Sequence, residues 1–139
     1  MVFRLTLIAH AATEATHAAL FAAPCDELSR AGRGAAQRLA DSGDLPREPA
    51  GQLVLCAPEL RAQQTATLAA RAFEQERNLP RFSIPIDVIP NVQEIFAGDW
   101  ELDASEAAHR SHDTAMRGWC YGDSQAAMEG GERLQDVLS

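Results

Sequence analysis

Val2 to Ala9 is a short apolar run rich in branched side chains, and it stops at His10. A run of that length bounded by a polar loop predicts a buried strand rather than a helix. The loop after it carries Thr13, Glu14, Thr16 and His17 and opens toward a helix. In an open parallel α/β sheet, ligands bind in the crevice beyond the carboxyl ends of the strands, so a histidine at such an exit points toward chemistry rather than core. His10 is therefore the candidate nucleophile.

A second short run, Leu53 to Ala57, predicts another buried strand, and Pro58-Glu59-Leu60-Arg61 follows it with helix-start chemistry: proline near the first turn, an early acid, then alanine-rich spacing. Arg61 then sits in the first turn of a helix at the same sheet edge as His10. A guanidinium beside free N–H groups at a helix start makes an anion site, and the pairing with His10 suggests phosphate. Ser29 predicts a cap for a helix running to about Ser42, with Ala31, Ala35, Leu39 and Ala40 on one face and Gly43 as its stop. Residues 43–52 hold two prolines and read as a loop. The helix from Pro58 to about Asn78 places Leu60, Thr65, Leu68, Ala69, Ala72 and Phe73 at helical spacing. Phe82 to Ile89 alternates like a strand, which Pro85 demotes to an edge. Further helices are predicted over Asp103 to about Cys120 and from Glu132 onward. Such alternation favours a parallel, doubly wound sheet in one domain.

Charge and cysteine usage narrow the partners. All 12 basic residues are arginine, and the net charge of −8 argues against a nucleic-acid surface, which needs clustered positive charge to displace counterions. Cys25, Cys56 and Cys120 are widely spaced with no C-x-x-C, so neither a disulfide framework nor a zinc knuckle is indicated. The apolar stretch near Arg4 is shorter than a secretory h-region, and no run approaches membrane-spanning length. A cytoplasmic protein acting on a small molecule is expected, without nucleic acid or membrane as partner. Gly32-Arg33-Gly34 lacks the third glycine of a dinucleotide loop, and His109 and His112 lack the carboxylate spacing of a metal helix, so neither a cofactor nor a metal is expected.

Five segments in order resemble the histidine phosphatases, the phosphoglycerate mutase-like superfamily. Leu7-Ile8-Ala9-His10-Ala11-Ala12-Thr13 is similar to the family's strand ending in Arg-His-Gly-Glu-Thr. Cys56-Ala57-Pro58-Glu59-Leu60-Arg61-Ala62-Gln63-Gln64-Thr65-Ala66 resembles Ser-Ser-Pro-x-x-Arg-Ala-x-Gln-Thr-Ala. Glu27 to Arg33, Asn91 to Glu101 and Gly130-Gly131-Glu132 resemble three further family stretches. The resemblance implies a three-layer α/β/α fold with a mostly parallel sheet over residues 1–139, with an insertion over the site at about 90–130. It implies a phosphatase that works through a phosphohistidine on His10 and acts on a small phosphorylated molecule. Arg61 would then hold the phosphate, with Thr13 and Thr16 as further donors, and Glu94 would protonate the leaving oxygen. Turn-forming threonines and a solvated loop glutamate are the competing readings of the last three.

Two departures qualify the match. The family's arginine before the histidine is Ala9 here and the glycine after it is Ala11; a lost charge-assisted contact to phosphate removes about 1.5–3 kcal/mol unless Arg4, Arg33 or Arg117 reaches in. The family's second catalytic histidine lies on a strand after the segment where this sequence ends at Ser139. A fold incomplete at the C-terminus is therefore expected, poorly stable alone or recruiting a strand from a second copy as a homodimer or by strand exchange. The alternative function is a catalytically degenerate module that binds a phosphate ligand or partner with the same fold.

Overall fold

The computed structural model describes residues 5–21, 23–42, 45 and 53–139. They fall into two compact units. One holds the described residues up to Thr13 and from Pro24 to Val92; the other runs from Glu14 to Ala23 and from Gln93 to Ser139.

The first unit is built on a β-α-β crossover. Strand β1 (Val54–Cys56) and strand β2 (Ile86–Val88) pair in parallel, Val54 opposite Ile86 and Cys56 opposite Val88, and the long helix between them (Leu60–Glu76) makes the crossover that parallel strands require. Pro85 lies just outside the ladder, where its missing N–H costs nothing, and its carbonyl accepts from Val54 N at 3.1 Å. The crossover helix buries Arg61, Thr65, Ala66, Ala69, Ala70, Phe73 and Glu74, one continuous stripe at helical spacing. Its apolar part forms the core: Phe73 is 1% exposed and packs with Ala40, Ala70 and Ile84.

The helix that Ser29 was expected to cap spans Arg30–Arg38 and continues as a 3₁₀ turn over Leu39–Asp41. Ser29 Oγ accepts from Gly32 N at 3.1 Å, satisfying one of the donors every helix start leaves over. Ala40 of the expected face is buried, but along Arg30–Arg38 the buried face is offset by one residue: Gly32 and Ala36 are inside, whereas Ala31 and Ala35 face solvent. The cause is close packing at Gly32, where a Cβ would lie 2.0 Å from Ala12 O. Gly43, the expected helix stop, and most of the 43–52 loop lie outside the described residues.

The expected strand over residues 2–9 is corrected. Residues 2–4 lie outside the described set, and 5–9 form no strand; Leu5 and Leu7 are 81% and 86% exposed. A strand exists only through a neighbour's hydrogen bonds, and among the described residues no segment pairs with this one. The strand expected over 82–89 shrinks for the same reason to Ile86–Val88, the part opposite β1.

The second unit contains a one-turn helix (Glu14–His17), a 3₁₀ turn (Gly98–Trp100), a helix over Glu106–Cys120 and a terminal turn of helix at Leu134–Val137. Ser105 caps the Glu106–Cys120 helix by accepting from Ala108 N. Ala97, Ala115 and Met128 form the core of this unit, with Phe21, Trp100 and Met116 against them. Among the described residues no helix is long and apolar enough to cross a membrane.

Gly32→Ala tests the packing of the first unit. In an open helix this substitution stabilises by about 1 kcal/mol. Here the new methyl meets the Ala12 carbonyl, and overpacking of that kind costs about 1–3 kcal/mol. Urea unfolding should therefore show net destabilisation; a gain in stability would mean that Ala12 moves aside freely.

Candidate active site

His10 follows the unpaired segment and heads a loop tied down at three successive residues. Ala11 N donates to Thr65 Oγ1 at 3.0 Å. Ala12 O accepts from both Ser29 N at 3.0 Å and Ser29 Oγ at 3.1 Å. Thr13 is fully buried and forms an antiparallel bridge with Leu28. A buried bridge residue of this kind holds the turn. Leu28 N in turn donates to Gln64 Oε1 at 2.8 Å, so the crossover helix grips the same region twice.

The His10 ring is half-buried, and Nδ1 lies 2.8 Å from Ala11 O. A carbonyl can only accept, so Nδ1 carries the proton in that bond and the neutral ring keeps its lone pair on Nε2. This is the tautomer a nitrogen nucleophile needs.

Arg61 stands in the first turn of the crossover helix, as expected, but not as a surface side chain: it is 2% exposed. Its carbonyl accepts from Thr65 Oγ at 2.7 Å, and that same hydroxyl receives Ala11 N. Thr65 thus links the loop of His10 to the turn of Arg61, a role hidden in the sequence because its spacing read as part of the apolar face. Glu59 is also buried, with Oε1 3.6 Å from Arg61 Nη2. The expected supply of open amides at this helix start is corrected: Leu60 N donates to Pro24 O, and the N–H groups of Ala62 and Gln63 both turn to Glu59 O.

The remaining expected site residues lie in the other unit. Thr16 is exposed on the short helix and Glu94 is exposed in the loop before the 3₁₀ turn. The structure therefore joins His10, Thr13 and Arg61 in one unit and places Thr16 and Glu94 in the second.

That second unit has its own groove of about 370 Å³, bordered by Trp100, Arg110, Ser111 and Glu129. The Glu129 carboxylate accepts from Ser111 Oγ at 2.7 Å and from Trp100 Nε1 at 2.5 Å, and these bonds hold it below the usual carboxylate range. His109 and His112, weighed in the sequence as a metal pair, each pack tilted against Phe21, with ring centroids 5.6 and 5.5 Å from the Phe21 centroid and interplanar angles of 43° and 38°. Among the described residues no group of three or more histidine, cysteine or acidic side chains is placed to hold a metal.

Comparison with known proteins places this arrangement. The model of the histidine phosphatase superfamily (branch 1) matches residues 5–139, and the chain belongs to that superfamily. Among solved structures it is similar to the alpha-ribazole phosphatase from Shigella flexneri, with 29% identity and a TM-score of 0.60. It is likewise similar to a mycobacterial glucosyl-3-phosphoglycerate phosphatase solved with VO3, with 25% identity and a TM-score of 0.57. In both cases the match covers 92% of this chain and 58% of the other. No curated protein sequence matches. The fold is accordingly the α/β fold of these phosphatases, of whose length the chain spans 58%.

Proposed function

We propose that this chain carries the phosphoryl-accepting part of a phosphatase for a small phosphorylated molecule, working in the cytoplasm as a single histidine-phosphatase-like domain. The observation that carries the reading is the bond from His10 Nδ1 to Ala11 O, which leaves Nε2 as the free lone pair. In the proposed reaction His10 Nε2 attacks phosphorus; the N–P bond forms as the P–O bond to the leaving alcohol breaks. Glu94 supplies the proton that the departing oxygen takes up. Water then attacks the phosphohistidine as the Glu94 carboxylate takes a proton back from it, the N–P bond breaks, inorganic phosphate leaves, and both side chains return to their starting states. Arg61 offsets the charge on the phosphoryl oxygens, and Thr16 adds a hydroxyl donor that solvent reaches.

Superfamily membership and the named activities of similar phosphatases support this reading. The cytoplasmic setting is supported by three unpaired cysteines, of which Cys56 is buried and has its thiol pushed up by burial, away from reactivity.

Incubation with a reactive aryl phosphate, followed by mass analysis under mildly alkaline conditions, should reveal an acid-labile phosphate on His10. Binding of phosphate without any adduct or turnover would favour the second reading, a degenerate binding module, for which Ala9 in place of the family's arginine is the specific argument.

A further inference from the structure

We propose that the groove on the second unit is a binding site for a neutral polyhydroxylated ring of monosaccharide size. The site is independent of the chemistry assigned to His10.

One helix face builds most of the groove. Ala107, Arg110, Ser111 and Thr114 recur at i, i+3, i+4 and i+7 along the Glu106–Cys120 helix and border the groove together. The residues that this helix buries are Ala108 and Ala115. Trp100 is half-buried: it packs against the core of Ala97, Ala115 and Met128, and its remaining surface borders the groove. A volume of about 370 Å³ lies at the small end of ligand pockets, which run from about 300 to 1,000 Å³, so the occupant is a single ring rather than a chain of them.

The polar groups decide its chemistry. Arg110 meets Glu106 through Nη1 at 2.8 Å, and its planar fork carries further N–H donors on Nη2 and Nε. A carboxylate accepts at about four lone-pair positions. At Glu129, Ser111 Oγ, Trp100 Nε1 and the residue's own N–H take three of them, which fixes the group beside the indole and leaves it an acceptor for a ligand O–H. Thr114 Oγ1 donates to Arg110 O at 2.8 Å, so toward a ligand its oxygen acts as an acceptor. For a charged ligand, Arg110 and Glu129 act in opposite senses, one attracting and the other repelling, while desolvating the ligand's charge still costs free energy. A neutral ring with hydroxyls uses both: its O–H groups donate to Glu129 and Thr114, and its oxygens accept from Arg110. The C–H face of such a ring suits the indole, whose π face is negative.

Calorimetry on the full chain with methyl β-glucoside, methyl α-mannoside and methyl β-galactoside should show at least one binding with a Kd of about 10 mM or tighter, accompanied by a shift in tryptophan emission. Silence from all three at up to about 50 mM overturns the proposal. Glu129→Gln turns an acceptor into a donor and Arg110→Ala removes the fork, so each should weaken the glycoside by about tenfold while the urea midpoint stays near that of the wild type. Arg110 is exposed, so Arg110→Ala decides alone if Glu129→Gln loses the fold. Unchanged affinity in a folded Arg110→Ala places the sugar elsewhere and overturns the proposal. Tetramethylammonium or adenine binding where the glycosides do not assigns the groove to a cation or a planar aromatic ring, and overturns it as well.

Discussion

Turnover of an aryl phosphate should fall by at least about a thousandfold in His10→Ala, equivalent to about 4 kcal/mol of lost transition-state stabilisation. Removing the ring removes the atom to which phosphorus transfers, and no neighbour takes its place: Ala9 and Ala11 have no reactive side chain. The fold should barely notice. His10 is half-buried, and its ring bonds only the carbonyl of the next residue, so the urea midpoint should move by no more than an ordinary surface substitution moves it, within about 0.5 kcal/mol. Activity and stability therefore separate in this variant. Wild-type turnover in His10→Ala would sink the phosphohistidine reading, and a matching loss of stability would place His10 among the structural residues instead.

The largest effect on folding is expected at Glu74. Its side chain is 2% exposed and works as a hydrogen-bonding bracket: Oε2 accepts from Phe82 N at 2.9 Å, Oε1 accepts from Ile84 N at 2.8 Å, and Arg71 Nη1 lies 3.1 Å from Oε2. Phe82 holds a left-handed backbone, φ 65°, that an L side chain adopts only when its surroundings enforce it. Glu74→Ala leaves two amides without their acceptor and takes the carboxylate from Arg71, whose Nη2 keeps its bond to Ile84 O at 2.9 Å; breaking a buried pair from one side costs about 3–5 kcal/mol. Against a total stability of ordinary size, about 5–15 kcal/mol, that loss is severe. Glu74→Gln keeps one acceptor and should cost less, about 1–3 kcal/mol. Equilibrium unfolding in urea ranks the two; a loss below about 1 kcal/mol for the alanine variant would show that the 82–84 segment holds itself in place.

The elements legible in the sequence were those whose signals are local. Ser29 as a cap, the helix carrying Arg61, the strand before it and the Glu106–Cys120 helix all announce themselves within a few residues. The strand expected over residues 5–9 does not form because a short apolar run describes what a strand would bury and says nothing of whether a neighbour pairs with it. The face of the Arg30–Arg38 helix was offset by one residue because a glycine carries no hydrophobic signal, although the missing Cβ of Gly32 is what admits the Ala12 carbonyl. At the site, His10 and Arg61 stood out as residue types at strand and helix boundaries. Thr65 and Glu74 did not, since their partners at Ala11 and at Phe82 and Ile84 come from other segments of the chain. Glu59 was read as a favourable helix-start acid; only the burial of both side chains shows it to be a counter-ion.

The loop after His10 is fastened at Ala11 to the crossover helix and at Ala12 and Thr13 to the Leu28–Ser29 segment, which restrains the backbone on the C-terminal side of the imidazole. Orientational entropy that a flexible loop would surrender on meeting its ligand is surrendered here when the chain folds. Association at this histidine should accordingly carry a small entropic penalty, and substitutions that loosen Ser29 or Thr65 should reveal themselves as a less favourable binding entropy while the contacts to the ligand stay the same.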